Sequence, residues 1–106
     1  MPVKLALLTF LLATSAAVAE TPTANLTIRN RVFEPKEVNV PAGQKIELRV
    51  RNDDTAAAEF ESHELHREKV VPAGQEVVVN LGPLRAGRYE FFDDFNPKSR
   101  GHIVAK

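Results

Sequence analysis

Two adjacent carboxylates, Asp93 and Asp94, close the aromatic stretch Tyr89-Glu90-Phe91-Phe92 and precede Phe95-Asn96. An aromatic strand that ends in two aspartates offers an oxygen-rich edge suited to a metal ion. The residues able to join it are Glu59, Glu61, Glu68, His63, His66 and His102. No cysteine occurs in the chain, so thiolate chemistry of any kind is excluded. Carboxylates and imidazoles suit Fe(II), Mn(II), Zn(II) and Cu(II). They also favour Fe(III), a harder and more highly charged ion. Ligands with that preference lower the reduction potential and ease electron loss from Fe(II).

Spacing sorts these candidates. Glu59 and Glu61 are two apart, so on a strand both point to one face, with Ala58 and Phe60 on the other. Alternation gives Asp93 the parity of Tyr89 and Phe91, and Asp94 that of Glu90 and Phe92, so the two aspartates point apart unless the chain bends at once. Each has a plain alternative role in capping a turn. His63-Glu64-Leu65-His66 places its histidines three apart, whereas the zinc-protease motif needs them four apart on a helix. Glu68 sits between Arg67 and Lys69 and can simply pair with either. His102 follows Gly101 at the head of the last apolar segment.

The elements that position these groups begin after a leader. Residues 1–19 carry a single charge, Lys4, then an apolar run from Leu5 to Leu12, and end on Ala17-Val18-Ala19. That pattern predicts a secretory signal peptide cleaved before Glu20. The run is short of the ~20 residues that span a bilayer. Residues 20–106 are then one small exported domain, expected in the periplasm, with no membrane insertion after cleavage. The 14 basic and 14 acidic residues balance, which argues against a nucleic-acid partner. Without disulfides, stability rests on packing, aided by a metal or a partner.

Short apolar segments separated by Gly/Pro turns fill the domain. Leu26-Thr27-Ile28, Val38-Asn39-Val40, Ile46 to Val50, Ala58 to Glu61, Glu76 to Leu81, Tyr89 to Phe92 and His102 to Ala105 read as strands. Phe33-Glu34-Pro35 reads as an interruption, and residues 62–69 as irregular or one helical turn. Pro-Ala-Gly-Gln occurs at 41–44 and 72–75, a turn device used twice. The pattern predicts an all-β sandwich. No sequence context supports a hydrolase, since Ser62 and Ser99 lack a nucleophile elbow.

The order Phe33-x-Pro35, Val38-x-Val40-Pro41-Ala42-Gly43, Val50-x-Asn52, Ala58-Glu59-Phe60, Leu84-x-x-Gly87-x-Tyr89-x-Phe91 and Gly101-x-Ile103-Val104 resembles a cupredoxin across the domain. The resemblance implies an all-β, cupredoxin-like Greek-key β-sandwich. It sets Ala58, Asp93, Asn96 and about Ser99 at the places of the ordinary copper ligands, so no type 1 copper centre is expected. A narrower likeness rests on Glu59-Phe60-Glu61, Leu65, Arg67 to Gly74 and Phe92-Asp93-Asp94-Phe95. These resemble the cupredoxin-like periplasmic components of bacterial ferrous-iron uptake systems. That implies binding of Fe(II), with assisted oxidation or delivery to a membrane iron permease, alongside a second periplasmic iron/copper-binding protein. Glu59 matches that family's strand-end glutamate, and Asp93 stands where some related domains keep cysteine. Two alternatives stay open: a Cu(II)-binding chaperone using His63, His66 or His102, and a metal-free periplasmic interaction domain.

Overall fold

Alternation builds the sheets: in Ile46-Glu47-Leu48-Arg49-Val50 the three apolar residues are buried while Arg49 is exposed. The structure, a computed structural model, describes residues 4, 6, 8, 9, 11, 12 and 20–106. Most of the expected leader lies outside the described residues. Nine strands follow: β1 (Thr23–Arg29), β2 (Val32–Glu34), β3 (Glu37–Val40), β4 (Ile46–Asn52), β5 (Ala58–Ser62), β6 (Arg67–Val71), β7 (Glu76–Leu81), β8 (Gly87–Asp93) and β9 (Asn96–Ala105). No helix occurs among the described residues.

One sheet has the order β2-β1-β4-β7 and the other β3-β9-β8-β5-β6. The chain crosses between the sheets after β2, β3, β4, β6 and β7, and the pairs β1–β4 and β3–β9 run parallel. This is the all-β, Greek-key sandwich expected from the sequence. Inward residues of both sheets form a single core around Phe33, Phe60 and Phe91. Phe33 meets Phe91 edge-on at 4.9 Å between ring centroids, and Phe60 lies at 5.2 Å from Phe91. Truncating a buried phenylalanine of this kind costs about 3–5 kcal/mol. Gly101 fits beside this cluster because it has no side chain: a Cβ there would stand 2.5 Å from Phe91 Cζ and 2.7 Å from the Lys36 carbonyl oxygen.

Two segments depart from the sequence expectation. Val32–Glu34 is a strand rather than an interruption, paired antiparallel with β1 across a turn in which Asn30 and Arg31 have φ of 52° and 62°. Asp54 stabilises that turn, its carboxylate oxygens accepting the Asn30 and Arg31 N–H groups at 2.8 Å each. Asparagine tolerates this backbone region; Arg31 is held in it by those bonds. Residues 67–71 form β6 instead of an irregular segment. Arg67-Glu68-Lys69 lacks apolar alternation because β6 is the edge of its sheet and largely exposed.

Candidate metal centre

The β5 parity places Glu59 and Glu61 on the outer face of the five-stranded sheet, opposite in direction to Phe60 in the core. Across the β5–β6 ladder Glu61 stands directly opposite Glu68, and Phe60 stands opposite Lys69. Like charges facing each other across strands are destabilising. The β8–β9 hairpin supplies the third acid. Its turn is Asp94-Phe95, and the register slips between Phe92 and Asp93. Phe92 pairs with Arg100 but Asp93 with Asn96, so Pro97, Lys98 and Ser99 bulge from β9.

At this end of β8 the two aspartates diverge, as alternation expects. Asp93 is buried, and its Oδ1 accepts the Glu59 N–H at 2.9 Å and the Phe95 N–H at 3.0 Å. Asp94 donates its own N–H to the Glu59 carbonyl at 3.0 Å. The turn therefore grips both backbone polar groups of Glu59. It also brings the Asp94 carboxylate to the outer face, where oxygens of Glu59, Glu61 and Asp94 all lie within 4.8 Å of one another. The three are graded in exposure: Glu59 is buried, Glu61 half-buried and Asp94 open to solvent.

Glu59 carries the sharpest signal. Its Oε1 is buried and has no hydrogen-bond partner. Buried polar atoms are ordinarily satisfied, and an unpaired carboxylate oxygen away from water is costly. Its pKa is pushed up to about 7, first by a shared hydrogen bond with the Glu68 carboxyl, then by burial and by the charges of Glu68, Asp94 and Glu61. Glu61 is shifted upward as well, chiefly by burial and then by Asp94 and Glu68, with His63 opposing. Four carboxylates thus crowd one edge, and the ionisation of Glu59 and Glu61 is suppressed there.

The histidines divide. His63 Nδ1 lies 3.8 Å from Glu61 Oε1, and its ring sits 5.2 Å from that of Phe92. His66 ends the β5–β6 turn with φ of 53° and lines, with His63, Glu61 and Glu68, a depression of about 210 Å³. His102 lies inside the ten-residue β9, not at a strand head; its Nε2 is 4.0 Å from Glu90 Oε2, and it pairs in register with Glu37 of β3. It joins Glu90 rather than the acidic cluster. Glu90, which also pairs with Arg100, was not singled out from sequence, although alternation puts it on the same face as Phe92. At the other positions that the sequence resemblance sets at the places of copper ligands, Ala58 is core, and Asn96 and Ser99 donate to the Arg31 carbonyl in the β1–β2 turn.

Comparison with known proteins agrees with this architecture. A family model described as a cupredoxin-like domain matches residues 2–105. An uncharacterized protein of Rickettsia prowazekii (strain Madrid E) is 45% identical over 80 residues, which cover 74% of this chain and 64% of that protein. The metal-binding domain of a Cu(I)-exporting P-type ATPase from Streptococcus pneumoniae D39 superposes with a TM-score of 0.67 at 15% identity, covering 84% of this chain and 98% of the other. Auracyanin A, a blue copper protein from Chloroflexus aurantiacus, gives 0.64 at 15% identity over 82% of this chain and 100% of its own. A purple cupredoxin from Nitrosopumilus maritimus gives 0.63 at 16% identity over 78% and 99%. At such identities the structural likeness speaks to fold.

Proposed function

Because the chain belongs to the cupredoxin-like domain family and yet has no cysteine for a type 1 copper centre, we propose that it handles a metal through carboxylates, with Fe(II) as its cargo. The observation that carries this reading is the buried, unpartnered Oε1 of Glu59 amid Glu61, Glu68 and Asp94. A cation there satisfies the orphaned oxygen, relieves the mutual repulsion of the acids and displaces the shared proton. The donors are oxygens, with the imidazole of His63 adjacent to Glu61. Such a set suits iron or manganese better than Cu(I).

The same donors favour Fe(III) over Fe(II), so uptake of Fe(II) here assists its oxidation. Each iron releases one electron, to dioxygen or to Cu(II) on a partner protein. Delivery to a membrane iron permease, beside a periplasmic iron/copper-binding protein, is the setting this reading adopts. It draws on the leader-like pattern of residues 1–19 and on the resemblance to ferrous-iron uptake components. A second reading, a Cu(II) carrier, is favoured by the imidazoles of His63 and His66 on one depression and by the copper proteins among the structural neighbours.

Anaerobic titration with Fe(II) against a chromophoric chelator tests the proposal. Glu59→Gln and Asp94→Asn are each expected to weaken Fe(II) binding at least tenfold while the fold persists. Admission of air then separates the versions: repeated Fe(II) loss beyond one equivalent marks turnover, and loss limited to bound iron marks delivery. Absence of Fe(II) binding overturns both, and Cu(II) retention that depends on His63 and His66 alone supports the second reading.

A further inference from the structure

We infer that this edge holds two divalent cations, with the Glu61 carboxylate shared between a carboxylate pole and an imidazole pole. The inference rests on the metal-handling reading above and adds the number and kind of sites. Glu61 is the hinge of the geometry. Its carboxylate belongs to the group whose oxygens lie within 4.8 Å of one another, with Glu59 and Asp94. The same carboxylate reaches His63, whose Nδ1 is 3.8 Å from Glu61 Oε1. Beyond it the depression of about 210 Å³ is lined by Glu61, His63, His66 and Glu68, room for an ion with its remaining water ligands.

Charge counting supports two ions rather than one. Glu59, Glu61, Glu68 and Asp94 bring four formal negative charges to one patch, and Glu61 and Glu68 face each other directly. One divalent cation cancels half of that charge; two cancel it. The guanidinium of Arg67, which also lines the depression, does not substitute, because it donates to the carbonyls of Asn80 at 2.8 Å and His66 at 3.0 Å. Carboxylates shared between two metals are an ordinary bridging arrangement, with the ions ~3.5–4 Å apart. The poles differ in donor type. The pole of Glu59 and Asp94 is all oxygen, while that of His63 and His66 adds nitrogen and draws Zn(II) or Cu(II) more strongly.

The test is stoichiometry, with Zn(II) as the probe for both poles and Mn(II) as the probe for the oxygen pole. Calorimetric titration of the full chain is expected to give two equivalents of Zn(II) and one tight equivalent of Mn(II). The double variant His63→Ala/His66→Gly is expected to keep the Mn(II) site and bind a single Zn(II). Glycine is chosen at 66 because the residue has φ of 53°, where alanine is strained. Glu61→Gln is expected to weaken both Zn(II) equivalents at least tenfold, as a shared ligand should. One Zn(II) equivalent in the unaltered chain, or two in the double variant, overturns the two-ion inference and leaves the single-site reading intact. No binding of either metal overturns both.

Discussion

Asp93 is the residue on which sequence and structure place different weight. Its position, at the place of a copper thiolate, marks it as a ligand candidate. In the fold its Oδ1 is committed to the N–H groups of Glu59 and Phe95, so it ties β5, which carries Glu59, to the turn that carries Asp94. A ligand and a positioning residue respond differently to amide substitution. Asp93→Asn keeps the acceptor oxygen, so metal affinity is expected to change less than threefold. Asp93→Ala leaves buried N–H groups unpaired, which costs about 1–3 kcal/mol in urea denaturation and loosens the site. A tenfold loss in the asparagine variant would instead make Asp93 a ligand. Glu59 gives a second residue-scale prediction. Its folded pKa is raised from the ordinary 4.5 to about 7, by Glu68 first and then by burial, Asp94 and Glu61. Between those values the native state binds more protons than the unfolded chain. Stability of the metal-free protein therefore falls as pH rises through that window, and levels off above it. Glu59→Gln removes this contribution. Urea midpoints with a chelator from pH 5 to pH 8 are expected to drop less in the variant than in the parent, and parallel profiles would refute the assignment.

Among the elements, the β8–β9 hairpin sets both the core and the site. At its core end, Gly101 lets β9 lie against Phe91 and the Lys36 carbonyl. Gly101→Ala is expected to cost about 1–3 kcal/mol by overpacking, read as a lower thermal midpoint with unchanged metal stoichiometry. At its turn end, the slip between Phe92 and Asp93 places the extra residues in β9 and leaves β8 regular. Parity was therefore sufficient for Glu59 and Glu61 on β5 and also for the divergence of buried Asp93 from exposed Asp94, but it could not convey their hydrogen bonds to the Glu59 backbone. The same reasoning explains β6: an edge strand needs no apolar alternation, so Arg67-Glu68-Lys69 carried no strand signal. Segments with two-residue apolar alternation, such as Ile46 to Val50, and the Pro-Ala-Gly-Gln turns were legible throughout. What the sequence could not convey was convergence. Glu68 and Asp94 lie 26 positions apart, and only the meeting of β5 with both β6 and β8 brings them to Glu59.

For the molecule as a whole, stability comes from one core without a disulfide, and part of its outer face is a strained cluster of acids. Cation binding to the native state alone should therefore be visible as added stability. At a metal concentration 100 times Kd the gain is about 2.7 kcal/mol, and for a domain of this size that raises Tm by on the order of 10 °C. The rise is expected with Fe(II) under anaerobic conditions, to be reversed by chelator, and to be absent in Glu59→Gln. An unchanged Tm across Fe(II), Mn(II), Zn(II) and Cu(II) favours the metal-free interaction domain. The grading of the cluster from buried Glu59 to open Asp94 has a kinetic meaning too. Because the acids lie on the outside of a sheet and not between the two sheets, an ion they hold is approachable from one side without any opening of the sandwich. An incoming carboxylate or imidazole on a recipient can enter at the Asp94 side while Glu59 still holds on. In the delivery role proposed above, transfer would proceed by stepwise ligand exchange, the ion passing from one protein to the next without entering bulk water.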